Sequence, residues 1–420
     1  MMGEAEAVDG NRLQLQLKRL RSAQRVAGFP NATVRKERLQ RCINLLVENQ
    51  DDLVNALDQD YGGRSPYLSK MSEILMPISH LKHAIKHVDK WMKPEKRAAQ
   101  FPMGLLGGRA RLEYQPLGVV GIMSPWNFPI AMIFHPLSNI LAAGNRAMIK
   151  PSEFNPVTAT LMEKLFKQYF SDDEIAVVNG GPQVGAAFCA LSLDHIIFTG
   201  ATSVGKMVMK AASQNLTPVT LELGGKSPTI VGASADIVKA ADAVICGKVM
   251  NAGQACLSPD YVFVPEASLE TFVSAARETF TRLFPTVTGN SDYATVINSR
   301  HYDRIGGYID EAKQAGIRVE PLGSDRYTAQ ERRIPVHLIV NPAEDLKVMQ
   351  DEIFGPVMIV KTYNELSKCI DYIADRPHPL GLYYFGDDAD EQQYILENTQ
   401  SGGVTINDVL MHVANIDLPF

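Results

Sequence analysis

The sequence predicts an α/β chain built as two successive units, each a sheet flanked by helices. Three observations lead there. The chain has 420 residues, more than one ordinary hydrophobic core organises, so two domains of roughly 150–250 residues are expected. From Arg109 onward, apolar strand-like runs alternate with helical ones. After Glu222-Leu-Gly-Gly225 the same alternation begins again.

The first ninety residues read as helical. Leu39, Cys42, Leu45, Leu46, Leu53 and Leu57 recur at helical spacing, and Tyr61-Gly62-Gly63 ends the run. Asn31-Ala-Thr33 is read as a helix-capping turn. His80, His83 and His87 share one face of a second helix. No carboxylate or cysteine nearby completes a metal site, so a solvated face and no metal are expected. Phe101 to Tyr114, with Gly104, Gly107 and Gly108, suggests an inserted hairpin. LGVVGIM, RAMIK, IAVV and HIIFTG are strands separated by helices, the rhythm of an open parallel sheet. Such sheets bind ligands at the carboxyl ends of their strands. The stretch from Tyr114 to Asn145 carries no Asp, Glu, Lys or Arg. Its four prolines make it a buried strand, a loop and a buried helix, not a membrane span. The second unit holds TIVGA, a helix from Asp236 to Met250, YVFVPE, and strands at Arg318–Pro321, Val336–Val340, Val357–Val360 and Tyr383–Phe385.

With 45% hydrophobic residues, 21% charged residues and a formal charge of −6, the chain offers no basic field for nucleic acid. Its five cysteines are widely spaced with no C-x-x-C, and Glu4, Glu6 and Asp9 open the chain without a signal-like apolar core. A reduced, cytoplasmic protein is expected, with one thiol free to react.

Five places could carry chemistry. Cys256 lies in NAGQACLSPD, where Gly253 allows close backbone approach. It is either an inert core thiol or, given the polar loop, a nucleophile. Glu222, in TLELGGKSP, is exposed on a strand's polar face or held at a catalytic centre. Asn127, in SPWNFP, is fixed between two prolines, either as an oxyanion donor or as a helix cap. Lys150, Ser152 and Glu153 follow a strand, and either bind a ribose diol or supply Ser152 as a cap. The run FTGATSVGKM nearly matches a phosphate loop, with Met207 where a magnesium-binding hydroxyl belongs.

SPWNFP, KPSE, FTG-x-x-x-x-GK, LELGGKSP, GQ-x-C and EIFGP, in this order, resemble the NAD(P)-dependent aldehyde dehydrogenases from about residue 30 to the chain's end. Pro259-Asp260-Tyr261 resembles the class-3-like branch. The resemblance implies a Rossmann-like parallel-sheet cofactor domain (residues 1–97 and 117–223), an oligomerisation hairpin (98–116) and a second α/β catalytic domain (224–420). It implies Cys256 as nucleophile, Glu222 as base and Asn127 as oxyanion donor, with no metal. For NAD, or NADP as a second possibility, it implies contacts from Trp126, Lys150, Ser152, Glu153, Gly181, Gly185, Gly200, Ala201, Gly205, Leu223, Gly224, Glu352 and Phe354. Glu153 should repel a 2′-phosphate and favour NAD. Ala201 departs from the serine that many relatives carry after FTG.

The implied substrate is an aromatic or medium-chain aldehyde, with Tyr67, Phe101, Trp126, Phe134 and His412 as tunnel candidates. Relatives continue past Asp417-Leu-Pro-Phe420, so a shortened chain is expected, homodimeric in its full-length form. A P-loop ATPase or kinase, and a cofactor-free thiol hydrolase, are the alternatives.

Overall fold

The computed structural model describes residues 2–324 and 327–419, with side chains from residue 10 onward. The chain divides into two units: Met1–Ala56 with Lys70–Glu222, and Leu57–Ser69 with Leu223–Phe420. The sequence reading put residues 57–69 in the first unit. They group with the second because Thr295 Oγ1 and Arg332 Nη2 both donate to the Tyr61 carbonyl, each at 2.6 Å.

The first unit opens with helices α1 (Met2–Ala27), α2 (Ala32–Glu48) and α3 (Gln50–Tyr61). Asn31 caps α2 as read, accepting from Val34 N at 3.1 Å. The short α4 (Pro66–Ser69) and a π-helical turn (Lys70–Leu75) lead into α5 (Met76–Trp91). A hairpin follows, with β1 (Glu95–Arg97) antiparallel to β2 (Ala110–Leu112). Its residues are exposed, including Phe101, Met103, Leu105 and Leu106 at the tip.

The parallel sheet comprises β3 (Val119–Met123), β4 (Arg146–Lys150), β5 (Ile175–Val177), β6 (His195–Gly200) and β7 (Val219–Leu223), in spatial order β5-β4-β3-β6-β7. β3 and β4 are buried along their whole length, as strands covered on both faces must be. The covering helices are α6 (Ala131–Ala142), α7 (Pro156–Tyr169), α8 (Pro182–Cys189) and α9 (Thr202–Ala212), together with α1, while α2 packs outside them against α5, α6 and α7. The uncharged stretch is therefore β3, a loop and α6, and no described helix is long and apolar enough to cross a membrane. Strand order reverses between β3 and β6, and a ligand crevice opens beyond the carboxyl ends of strands at such a switch point.

The histidine face of α5 differs from expectation. His80 stacks on His135 with ring centroids 4.1 Å apart, and His83, His87 and Trp91 stack in turn, so the face is half-buried. Among the described residues no histidine cluster suits a metal.

The second unit carries β8 (Ser227–Val231), α10 (Ile237–Val249), β9 (Pro259–Pro265), α11 (Leu269–Leu283), α12 (Ser299–Gln314), β10 (Arg318–Pro321), β11 (His337–Val340), α13 (Lys347–Gln350), β12 (Val357–Tyr363), α14 (Leu366–Ala374), β13 (Gly381–Phe385), α15 (Ala389–Asn398) and β14 (Gly403–Ile406). The sheet order is β10-β11-β12-β9-β8-β13-β14, parallel except for the β10 edge. Val262 and Val264 of β9 face one core with Phe272 and Phe280, while Tyr261 and Phe263 face the other with Ile309 and Ile359. This alternation is the period-two pleat of a strand buried on both sides. β14 went unread in the sequence.

Candidate active site

The candidate residues fall into two sets, one per unit. In the first unit each set member sits just past, or at, the carboxyl end of a parallel strand. Asn127 follows β3 and is buried, with Trp126 beside it half-buried. Their loop is pinned from several directions. Ser124 N donates to the Lys150 carbonyl at 3.1 Å, and Ser124 Oγ donates to the Pro129 carbonyl at 2.8 Å. Glu73, fully buried in the π-helical turn, accepts from Ile130 N and Ala131 N at 3.0 and 2.8 Å. A carboxylate on the opening amides of α6 satisfies donors that the helix cannot, and it suits the positive end of the helix.

At the end of β4, Lys150 Nζ is buried and lies 3.1 Å from both the Pro151 carbonyl and Glu153 Oε2. Ser152 Oγ accepts from Phe154 N, closing a local turn, while α7 begins at Pro156 without a side-chain cap. Ser152 as the α7 cap is thus ruled out. Gly185, in α8, packs against Lys150: a Cβ there would stand 3.4 Å from Lys150 Cε. A Cβ on Gly181 would meet nothing within 4 Å, so open space lies over the start of α8.

Gly200 ends β6 and Ala201 leads directly into α9, whose N-terminus has no side-chain cap. Gly205 is buried inside α9 and donates to the Ala201 carbonyl at 2.9 Å. Only Ala201 lies between β6 and α9, too little to wrap a triphosphate, and Lys206 is exposed on the helix. The P-loop reading fails here. Glu222 ends this unit at β7, half-buried, and burial raises its carboxyl pKa.

The second unit builds its set on three loops. The loop after α10 is sharply bent. Asn251, Ala252 and Gly253 have φ of 50, 52 and 73°, a left-handed run in which the two non-glycine residues each cost on the order of 1 kcal/mol. Gln254, fully buried, holds the turn by donating to the Asn251 and Thr295 carbonyls and accepting from Ile297 N. Asn251 Nδ2 donates to the Gln254 carbonyl and to the Tyr61 hydroxyl. Cys256 emerges half-exposed from this otherwise buried loop. Tyr383 Oη then fixes the next residue, donating to the Leu257 carbonyl at 2.6 Å.

Leu223 is half-buried where the second unit begins, one residue before the two glycines. A Cβ on Gly224 would stand 2.2 Å from the Glu352 carboxylate, so a larger residue there would displace that side chain. Gly225 N–H bonds that carboxylate, yet burial dominates and raises the Glu352 pKa to about 7. Phe354 has a left-handed φ of 45°, and Arg304 donates to the Ile353 and Phe354 carbonyls. The cysteine loop and the Glu352 loop touch at Gly253, where a Cβ would stand 2.3 Å from the Gly355 carbonyl oxygen.

These features suit a dinucleotide. Uncapped helix amides, open space over Gly181 and a Lys150–Glu153 pair stand along one sheet edge. Helix N-termini and glycine clearings of this kind accept a pyrophosphate. Sequence reasoning missed Glu73, Gln254, Tyr383, Lys226 and Arg304 as supports, since each acts through a contact distant in sequence. Two tunnel candidates are corrected: Phe101 is exposed on the hairpin tip, and Phe134 is buried against Phe166.

A profile of the aldehyde dehydrogenase family matches residues 2–420. A probable coniferyl aldehyde dehydrogenase of Caulobacter vibrioides is 50% identical over 96% of this chain and 84% of its own length. A coniferyl aldehyde dehydrogenase of a Pseudomonas species is 44% identical over 98% and 86%. The solved substrate-bound structure of Staphylococcus aureus AldH superposes with a TM-score of 0.92 at 33% identity, covering 97% of this chain and 87% of that one. Neither the ATPase nor the thiol hydrolase alternative is supported. The chain belongs to the aldehyde dehydrogenase family, whose members here catalyse NAD(P)-dependent oxidation of an aldehyde to its carboxylic acid.

Proposed function

We propose that Cys256 is the nucleophile, Asn127 the oxyanion donor and Glu222 the general base of this oxidation. The Cys256 thiolate adds to the aldehyde carbon, and the new oxyanion is held by the Asn127 amide and the Cys256 backbone N–H. Bound NAD would supply the hydride acceptor for this carbon, which would leave a thioester on the Cys256 sulfur. Glu222 takes a proton from water, the water oxygen joins the acyl carbon, and the carbon–sulfur bond breaks to release the acid. Burial raises the Glu222 pKa, as suits a base that must hold and release a proton. The observation that carries this reading is the left-handed turn at 251–253, which presents one half-exposed thiol from a buried loop.

Lys150, Ser152 and Glu153 would hold the adenosine ribose. Trp126, Gly181, Gly185, Gly200, Ala201 and Gly205 would line the path to the pyrophosphate. Leu223, Gly224, Glu352 and Phe354 would hold the nicotinamide end. Glu153 favours NAD over NADP. The first unit is then the cofactor domain and the second the catalytic domain. Relatives named for coniferyl aldehyde support an aromatic, coniferaldehyde-type substrate. The exposed apolar tip of the hairpin supports a homodimer, and five cysteines outside any disulfide support a cytoplasmic location.

The test follows reduced-nicotinamide absorbance with coniferaldehyde and NAD. Cys256→Ser should lose all turnover. Glu222→Gln should keep a first-turnover burst and lose at least a hundredfold in steady rate. Full activity in Cys256→Ser would remove the reading.

A further inference from the structure

The three loops of the second unit share one buried ion pair. Lys226 follows the Gly224-Gly225 step, and Asp260 lies four residues after Cys256. Lys226 Nζ stands 2.6 Å from Asp260 Oδ1, with side-chain exposures of 15% and 4%. The lysine spends its directed hydrogen bonds elsewhere, donating to the Val348 and Asp351 carbonyls at 2.8 and 2.7 Å. Asp260 Oδ2 accepts from Ile353 N at 2.9 Å. Glu352 is therefore gripped on both flanks: the carbonyl before it by the cation, the amide after it by the anion.

We propose that Lys226 and Asp260 are a positioning pair that sets the pitch of the 351–354 loop, and through it the aim of the Glu352 carboxylate at the nicotinamide ribose. The proposal rests on the reading that Glu352 holds that ribose. Neither side chain touches cofactor or substrate; each acts through the backbone beside Glu352. A buried pair of this kind contributes little net stability, but removing one partner leaves an unpaired charge, and removing both is far less harmful. That asymmetry separates positioning from simple packing.

The experiment measures NAD affinity by calorimetry without aldehyde, together with melting temperature and kcat, on the full chain. Lys226→Met and Asp260→Asn should each weaken NAD binding at least tenfold, with kcat at saturating NAD within about threefold of the parent. The double variant should bind NAD no more weakly than either single variant. Multiplicative losses in the double variant would show two independent effects and overturn the pair. So would unchanged affinity in both single variants. If a neutral variant does not fold, Lys226→Arg carries the test, since it keeps the charge but cannot reach both carbonyls from the same geometry. It should melt near the parent and bind NAD at least threefold more weakly, and unchanged affinity overturns the proposal. Glu352→Gln distinguishes the two layers. If it binds NAD like the parent, the reading of Glu352 is what fails. If it loses affinity while the Lys226 and Asp260 variants do not, the positioning proposal fails alone.

Discussion

The two units place their chemistry at opposite ends of their strands. In the first unit the candidate residues sit at the carboxyl ends of β3 to β7. In the second, Gly224, Cys256 and Glu352 precede β8, β9 and β12, at the amino ends. In a parallel sheet, helix N-termini gather at carboxyl ends and helix C-termini at amino ends. The first edge thus carries partial positive charge from backbone alone, and it suits the phosphates of a cofactor. The second edge meets the negative end of α10. There the order comes from side chains: Lys248, in the last turn of α10 and bonded to the Pro259 carbonyl, and Lys226 paired with Asp260. One edge is preorganised by secondary structure, the other by buried ions and a left-handed turn.

This contrast can be broken or sharpened by experiment. The largest effect is expected from Asn127→Ala, which removes a side-chain donor from the first edge. Its kcat should fall about 100- to 1000-fold with NAD affinity unchanged. An intact kcat would leave oxyanion binding to the second edge alone. Next, Glu153→Gln should raise the NADP-to-NAD preference about tenfold in kcat/KM, because this carboxylate beside Lys150 opposes a 2′-phosphate. The second edge should show itself in pH. Burial raises the Glu352 pKa to about 7, so this carboxyl ionises, and gains acceptor strength for a ribose hydroxyl, as pH rises through 7. The NAD dissociation constant should therefore fall several-fold from pH 6 to pH 8, and Glu352→Gln should flatten the profile. The smallest effect belongs to Asp236→Ala, which removes the N-cap of α10. A loss of about 1 kcal/mol, or roughly 2–4 °C in melting temperature, is expected with kcat unchanged.

The first edge was the more legible from sequence. Its residues follow short apolar strands and are marked by Pro125, Pro151 and the Gly200 turn, all local signals. The second edge is written in features that sequence does not display. Nothing in N-A-G-Q-A-C announces that Asn251 and Ala252 adopt φ near 50°, since neither is glycine. Lys226 and Asp260 stood inside quoted motifs, yet their pairing appears only once β8 and β9 lie side by side. The same holds for residues 57–69, whose allegiance to the second unit depends on hydrogen bonds to residues some 230 or more positions away. β14 was missed because Gly402 and Gly403 mask a four-residue strand. His80 read as solvated because its stacking partner, His135, comes from α6.

The backbone touch between Gly253 and Gly355 bears on how this enzyme can be reshaped. Any side chain at residue 253 would drive the turn that carries Cys256 away from the segment that carries Glu352 and Phe354, so one substitution would move both sets of proposed site residues apart. At Gly253 both the backbone contact and the left-handed φ of 73° exclude a side chain, so this is the position that redesign of the turn must leave as glycine.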